Sequence, residues 1–276
     1  MATGRTAARR KRRTAHDATG DPFGVDPVLL QRAKPLSEFF YRHYWRVRAE
    51  GIEHIAAEGP ALIVANHSGG VPIDAAMIAA AVWFEHPRHR LVRFLYGRFV
   101  AEMPVVGKVF NRLGAAVASF DNARRLLEMG EVVGLFPEGV DGVAKTIWKR
   151  YEIQPFHSSC VRLSLMLRVP IVPVAVVGSE EIYPMLGKIE RLGPLRKIVN
   201  VPYIPVTPFF PWLGALGMIP LPTRFRIRFG APLRLYADSR RRQRADDNAV
   251  YKRTEQVRCR VQAMVHELLA ARESVF

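Results

Sequence analysis

The sequence predicts an α/β fold with a mixed, mostly parallel central sheet flanked by helices, and three observations carry that prediction. Short apolar runs at 61–65, 90–97, 115–119, 132–136 and 170–178 lack polar alternation, as expected of strands covered on both faces. Helix-like stretches at 73–84, about 98–112, 122–129 and 156–168 separate them, which is the alternation that crossover units require. A length of 276 residues suits one such domain with tails, large enough to need no covalent staples.

In chain order, residues 1–20 read as a disordered basic arm containing RTAARRKRR. Residues 21–50 follow as an amphipathic helix broken near Pro35, in which Phe39, Phe40, Tyr41, Tyr44 and Trp45 mix with Arg42, Arg46 and Arg48. Such a helix either lies at a water–lipid boundary or packs on the domain with its arginines snorkelling outward. The domain proper spans 51–236. Within it, VPIVPVAVVG carries Pro170 and Pro173, which predicts an edge strand or a bulge near a site. RFRIRFG, 224–230, alternates arginine with apolar residues and predicts a strand with one solvated side. The uncharged stretch 198–223 has the length of a membrane span, but its six prolines would strip a helix of its hydrogen bonds. It reads as an interfacial wedge, a loop lining an apolar groove, or a core-packing excursion, and Phe209, Phe210 and Trp212 together favour the first two. Residues 237–276 form a basic helical extension whose Val250, Val257, Val261, Val265 and Leu268 recur at helical spacing and pack on the body.

The charge narrows the partners. Lysine and arginine number 41 against 25 acids, for a net +16, and without the first thirteen residues the balance is still 35 to 25. A body this basic suits an anionic partner, either nucleic acid or lipid headgroups. No helix-turn-helix, RNP-like or zinc-finger signature supports a specific nucleic acid. Cys160 and Cys259 are far apart and lack zinc-type spacing, so neither a metal nor a disulfide is expected, and the compartment is a reducing one. The basic start runs into THDATGDPFG with no apolar stretch, which predicts a cytoplasmic protein without a signal peptide.

The chemistry concentrates in VANHSGGVPID, 64–74. If ALIVA is a central strand, Asn66 and His67 emerge at its C-terminal edge, where α/β folds present their functional loops. Pro72 fits the first turn of the next helix and places Asp74 among the free N–H groups there. Gly69 and Gly70 let the loop turn tightly enough to return Asp74 to His67. A carboxylate on one imidazole nitrogen leaves the other to accept a proton, which makes a general base with its orienting partner. LFPEGV, 135–140, ends another strand on a tight turn with Pro137, Glu138 and Gly139. Each motif taken alone has a structural reading, a satisfied histidine or a turn acid bonded to nearby backbone.

Together, NHSGGVPID, GAAVAS, LFPEGV and VPIVPV stand in this order over roughly 45–235 and resemble the motifs of the glycerolipid and lysophospholipid acyltransferases. The resemblance implies a glycerol-phosphate acyltransferase-like fold. It implies transfer of a fatty acyl group from a thioester, acyl-CoA or acyl-ACP (acyl carrier protein), to a hydroxyl of a glycerolipid or lysophospholipid, with no cofactor beyond that co-substrate. His67 would take the hydroxyl proton, Asp74 would orient the ring, and no covalent acyl-enzyme would form. Asn66, Gly69, Gly70, Pro137, Glu138 and Gly139 are implied around the substrates, with N–H groups near the two glycines facing the developing oxyanion. The implied partners are the thioester donor, an acyl carrier protein where it bears the acyl group, the lipid acceptor and an anionic membrane surface. On that surface the protein is expected to lie as a peripheral, monotopic protein with no transmembrane span.

Two departures bear on the acceptor. Six residues separate His67 from Asp74, a longer gap than glycerol-phosphate enzymes of the family usually have, and the strand that usually ends in a phosphate-binding arginine ends in Ser119. Arg124 and Lys145 are the expected substitutes, with Arg125, Lys149 and Arg150 also near, but none stands at the matching position. A relative acting on a neutral acylglycerol or another alcohol is therefore the alternative reading. A catalytically silent lipid-binding member is a further one, which the intact His67 and Asp74 oppose. No GxSxG elbow supports a serine hydrolase.

Overall fold

The computed structural model describes residues 20–68, 71–103, 105–189, 203–237 and 246–276. Among these, seven strands form one sheet: β1 (Arg48–Glu50), β2 (Ala61–Ala65), β3 (Val92–Tyr96), β4 (Ala116–Val117), β5 (Val132–Leu135), β6 (Ile171–Val177) and β9 (Arg226–Phe229). Their order across the sheet is β1-β9-β6-β2-β5-β3-β4. Neighbours run parallel except β6 and β9, so β2, β3, β4, β5 and β6 all end on the same edge. A separate antiparallel pair joins β7 (Gly187–Ile189) to β8 (Ile204–Val206).

Alternation along each strand divides the apolar side chains between two cores. Leu62, Val64, Val133, Leu135, Ala175 and Val177 face one, which is covered by α5 (Phe120–Glu128), α7 (Ser159–Leu167) and α8 (Asp247–Ala270). Ile63, Ala65, Val172, Val174, Val176 and Ile227 face the other, which is covered by α2 (Ile73–Glu85) and the aromatic turn at 40–45. Coverage of both faces is why the central strands read as unbroken apolar runs. The helix α8 buries Val250, Val257, Val261, Met264, Val265 and Leu268, so the C-terminal segment supplies a layer of the first core.

Two local expectations are corrected and one open alternative is decided. The first concerns residues 21–50. Helix α1 (Pro27–Phe39) starts where Asp26 accepts the N–H groups of Val28 and Leu29, and it continues through Pro35. Gln31, whose carbonyl lacks a partner there, is exposed, so water can serve it. The chain widens into a π turn at Phe40–Tyr44, and Arg48–Glu50, expected to be helical, is strand β1 paired with β9. Tyr41 and Trp45 are buried and Trp45 lies against Phe225, whereas Val28, Leu36 and Phe39 remain exposed. The second is the helix expected over 98–112. It is two, α3 (Arg98–Ala101) and α4 (Val106–Arg112), because Val105 takes a φ of 74°, a positive value that no right-handed helix repeat tolerates. Between β4 and β6 lies a further short helix, α6 (Val140–Val143).

The third concerns β6, which is central in the sheet. Pro173 is accommodated by the bulge that the sequence offered as the other possibility. Val174 pairs with Phe229 but Ile171 bridges Leu233, so the ladder slips by one residue opposite the proline. Among the described residues no helix is long and apolar enough to cross a membrane.

Arg93 of β3 fastens the N-terminal segment to this frame. It is 1% exposed, its Nε donates to the Gly114 carbonyl at 2.5 Å, and its Nη1 pairs with Asp21 at 2.6 Å. Removing one partner of a buried pair strands the other. Arg93→Met is expected to lower stability by about 3 kcal/mol in urea unfolding, with part of the loss recovered when Asp21→Asn is added.

Candidate active site

The site grows from the end of β2. Asn66 is fully buried; its Nδ2 donates to the Val176 carbonyl at 3.0 Å and its Oδ1 accepts the Val176 N–H at 2.8 Å. The side chain thus extends the pairing of β2 with β6 by one rung and fixes the direction in which His67 leaves the strand. Asn66, expected near substrate, is engaged inside the fold. His67 Nδ1 lies 2.7 Å from Asp74 Oδ2, so the pair foreseen across the lengthened gap is in contact. Asp74 sits in the first turn of α2, fully buried, and also accepts the N–H groups of Ser68 at 3.0 Å and Ala75 at 2.8 Å. A carboxylate can only accept, so Nδ1 carries the hydrogen and Nε2 presents its lone pair. Gly69 and Gly70 lie outside the described residues.

A stack of rings sets the plane of the imidazole. His67 lies on Phe136 with centroids 4.0 Å apart and planes 10° apart, and Phe136 lies on Phe94 at 5.3 Å. Phe94 in turn covers Gly134, where a Cβ would meet its ring at 2.5 Å. Only glycine on β5 leaves that ring its place.

The Phe-Pro-Glu-Gly turn is at the same sheet edge, but its acid faces inward. Glu138 Oε1 accepts the His67 backbone N–H at 2.7 Å, while Oε2 accepts from Gln154 N at 2.8 Å and Lys145 Nζ at 3.3 Å. Gly139 turns the chain at φ 60° and ψ −140°, a conformation open to glycine alone. Lys145 also pairs with Glu180 at 2.8 Å, and Glu180 accepts the Tyr151 N–H at 2.7 Å. The three charged side chains are at most 5% exposed. Glu138 and Lys145, both expected to hold acceptor, are therefore engaged by each other and by the backbone behind His67. Burial pushes the Glu180 carboxyl up to about 7 against the pull of Lys145. Burial alone would lower the Lys145 ammonium, but the charges of Glu180 and Glu138 hold it above its usual range.

The turn after β6 completes the back wall. Ser179 and Ser68 share a hydrogen bond between hydroxyls. Tyr151 accepts the Gly178 N–H at 3.1 Å and bonds Glu181, and Arg272, just past α8, donates to Glu181 at 2.7 Å.

A cavity of about 230 Å³ opens against Phe136. Leu95, Leu135, Leu163 and Pro137 supply apolar walls, and Ser119, His157 and Ser159 are its polar members. Among the described residues no lysine, arginine or acid lines it. Ser119, where the resemblance led to the expectation of an arginine, caps α5 by accepting the Asn122 N–H at 3.0 Å. Arg124 lies on the exposed side of α5, bonded to Glu128 at 3.2 Å, and Arg125 lies over the Phe23 ring at 5.4 Å. Phe136, His157, Ser179 and Glu180 join the site without having been singled out in the sequence. Phe136 stands inside a recognised motif, and Glu180 lies two residues past Gly178, but no local pattern says that Phe136 stacks on His67 or that Glu180 pairs with Lys145.

The buried acid has a measurable signature. Its folded value near 7 lies above the ordinary 4.5, so its contribution to stability is full below 4.5 and is lost as pH rises through 7. Urea unfolding of Glu180→Gln against wild type is expected to give a stability difference that changes across that window and is flat outside it. Gly134→Ala, which pushes on Phe94 and through it on Phe136, is expected to cost about 1–3 kcal/mol by overpacking and to disturb the His67 ring.

Comparisons with known proteins bear on the family and the fold. The family model described as Acyltransferase matches residues 46–177. An uncharacterized protein of Mycobacterium tuberculosis (strain ATCC 25618 / H37Rv) is 39% identical over 268 residues, which is 96% of this chain and 74% of that one. An uncharacterized protein of Mycobacterium leprae (strain TN) is 40% identical over 269 residues, 96% of this chain and 72% of that one. A Bos taurus protein named DGAT1/2-independent enzyme synthesizing storage lipids is 24% identical over 167 residues, 58% of this chain and 47% of that one. In fold, the crystal structure of the 1-acyl-sn-glycerophosphate (LPA) acyltransferase PlsC from Thermotoga maritima is similar, with a TM-score of 0.55 and 18% identity over 89% of this chain and 81% of that one. With its family match, relatives that align along nearly its whole length and a mostly parallel sheet that brings His67 to Asp74, the chain belongs to the acyltransferase family.

Proposed function

We propose that the protein moves an acyl group from a thioester, on coenzyme A or acyl carrier protein, to a hydroxyl of a lipid acceptor that has no phosphate to be held, such as an acylglycerol. One observation carries the choice of acceptor: the cavity that opens against Phe136, whose ring stacks on His67, has carbon walls and, among the described residues, no lysine or arginine, its polar members being Ser119, His157 and Ser159. A phosphate dianion calls for charge-assisted donors, whereas hydroxyls and an imidazole suit a neutral head. Asp121 in the first turn of α5 adds a charge of the wrong sign for an anion. The bovine relative is named for storage lipids, and the reading carries that over to this chain.

In this scheme His67 Nε2 takes the acceptor's hydroxyl proton as its oxygen attacks the thioester carbonyl. The C–O bond forms, the C–S bond breaks, and the departing thiolate recovers the proton from the imidazolium that Asp74 steadies. The acceptor is a lipid, so the protein works as a peripheral protein at a membrane surface. Labelled acyl thioester offered with lysophosphatidate, other lysophospholipids, monoacylglycerol and diacylglycerol tests the reading. Label is expected in the acylglycerol arms, and His67→Ala is expected to reduce it by about 10²- to 10⁴-fold. Ser119→Arg is expected to raise use of lysophosphatidate relative to monoacylglycerol by about tenfold or more, the worth of one charge-assisted bond. Label in lysophosphatidate alone with the wild-type protein would overturn the neutral acceptor.

A further inference from the structure

The segment 203–223 contains no charged residue, and its apolar side chains are held outward by an ordered backbone. Thr207 Oγ1 accepts the N–H groups of Phe209 at 3.2 Å and Phe210 at 2.9 Å, and Thr207 N donates back to the Phe210 carbonyl at 2.8 Å. Leu213 N reaches the Phe209 carbonyl at 2.8 Å, and Gly214 N reaches that of Pro211 at 2.9 Å. A 3-10 helix follows at Gly214–Met218, flanked by Leu213 and Ile219. With three residues per turn, side chains three apart eclipse, so Leu213, Leu216 and Ile219 stand above one another as a ridge. They are 57%, 69% and 57% exposed, and the neighbouring Trp212 is 75% exposed. A ridge of this size in water is an unpartnered surface.

The root of this knuckle is bound to two other parts of the molecule. On one side, Tyr44 and Trp45 donate to the carbonyls of Pro220 at 2.6 Å and Leu221 at 3.2 Å, and Arg46 bonds that of Pro222. The stretch from α1 to Arg46 carries Arg32, Lys34, Arg42 and Arg46 against the single acid Glu38, so the flank is cationic. On the other side, Tyr183 donates to the Met218 carbonyl at 2.8 Å and Thr223 to that of Gly178 at 2.8 Å. Gly178 precedes Ser179, which bonds Ser68 beside His67. The knuckle therefore stands at the end of the sheet where His67 emerges.

We infer that the ridge of Leu213, Leu216 and Ile219, with Trp212, is the surface that enters an anionic lipid bilayer, and that it delivers the sheet edge bearing His67 to the lipid phase. Apolar side chains on a turn without charges, one tryptophan among them, and cations at the margin match the two layers of such a surface, hydrocarbon and headgroup. A protein partner would be expected to meet hydrogen-bonding side chains around the ridge, and the segment offers carbon. The delivery of the site rests on the acyl-transfer reading; the docking itself does not.

The test uses the full chain with vesicles of phosphatidylcholine alone and of phosphatidylcholine with phosphatidylglycerol, scored by flotation. The wild type is expected to float with the anionic vesicles, less with the neutral ones, and less with the anionic ones as salt rises. The triple variant Leu213→Ser, Leu216→Ser, Ile219→Ser is expected to bind at least tenfold more weakly while its melting temperature is unchanged, since the three side chains make no core. Its acyl transfer to an acceptor embedded in vesicles is expected to fall, with transfer to a short-chain acceptor in solution preserved. Equal flotation of variant and wild type would overturn the inference, as would a wild type that ignores vesicles and dimerises through the ridge. Absence of acyl transfer to any acceptor would count against the proposed function, whereas docking stands or falls on flotation alone.

Discussion

Everything in the site depends on the direction in which His67 leaves β2. Four contacts fix it: the Asn66 amide on Val176, the Glu138 carboxylate on the His67 N–H, the Asp74 carboxylate on Nδ1 and the Phe136 face under the ring. They come from the ends of β2, β5 and β6 and from the first turn of α2. Parallel strands make this convergence possible, because their C-terminal ends share one edge. An imidazole held in this way has little freedom left to lose, which is the positioning that the proposed transfer would draw on.

The arrangement places several charges where water does not reach. Asp74 is offset by two backbone N–H groups and an imidazole; Glu138 and Glu180 are offset by one lysine and three further backbone N–H groups. Every buried side-chain nitrogen and oxygen among the described residues has a hydrogen-bond partner. A buried ionic group is rarely a net gain in stability over well-packed carbon, so its presence here is understood through geometry. The string from Glu138 through Lys145 to Glu180 ties three turns of the sheet edge to one another.

Much of this is legible in the sequence, and for identifiable reasons. ALIVA is strand β2 to the residue because both of its faces are covered, which leaves an unmistakable apolar run. The pairing of His67 with Asp74 follows from a proline and a helix start, both local signals. What escapes is non-local. Arg48–Glu50 has no strand pattern of its own and becomes one only because Phe225 and the residues after it, far along the chain, offer a ladder. Charge in the sequence says that Lys145 is cationic but not that two glutamates enclose it. Pro35 suggests a break that does not occur, since an exposed helix face lets water replace the lost bond.

The back wall of the site has a consequence for how the molecule is made. Arg272 bonds Glu181, which with Tyr151 braces the turn holding Ser179 against Ser68, yet Arg272 is synthesised 205 residues after His67. At ribosomal rates that interval is on the order of ten to forty seconds. During it the nascent chain has its histidine without the completed surroundings, so the back wall of the site closes only once α8 has docked.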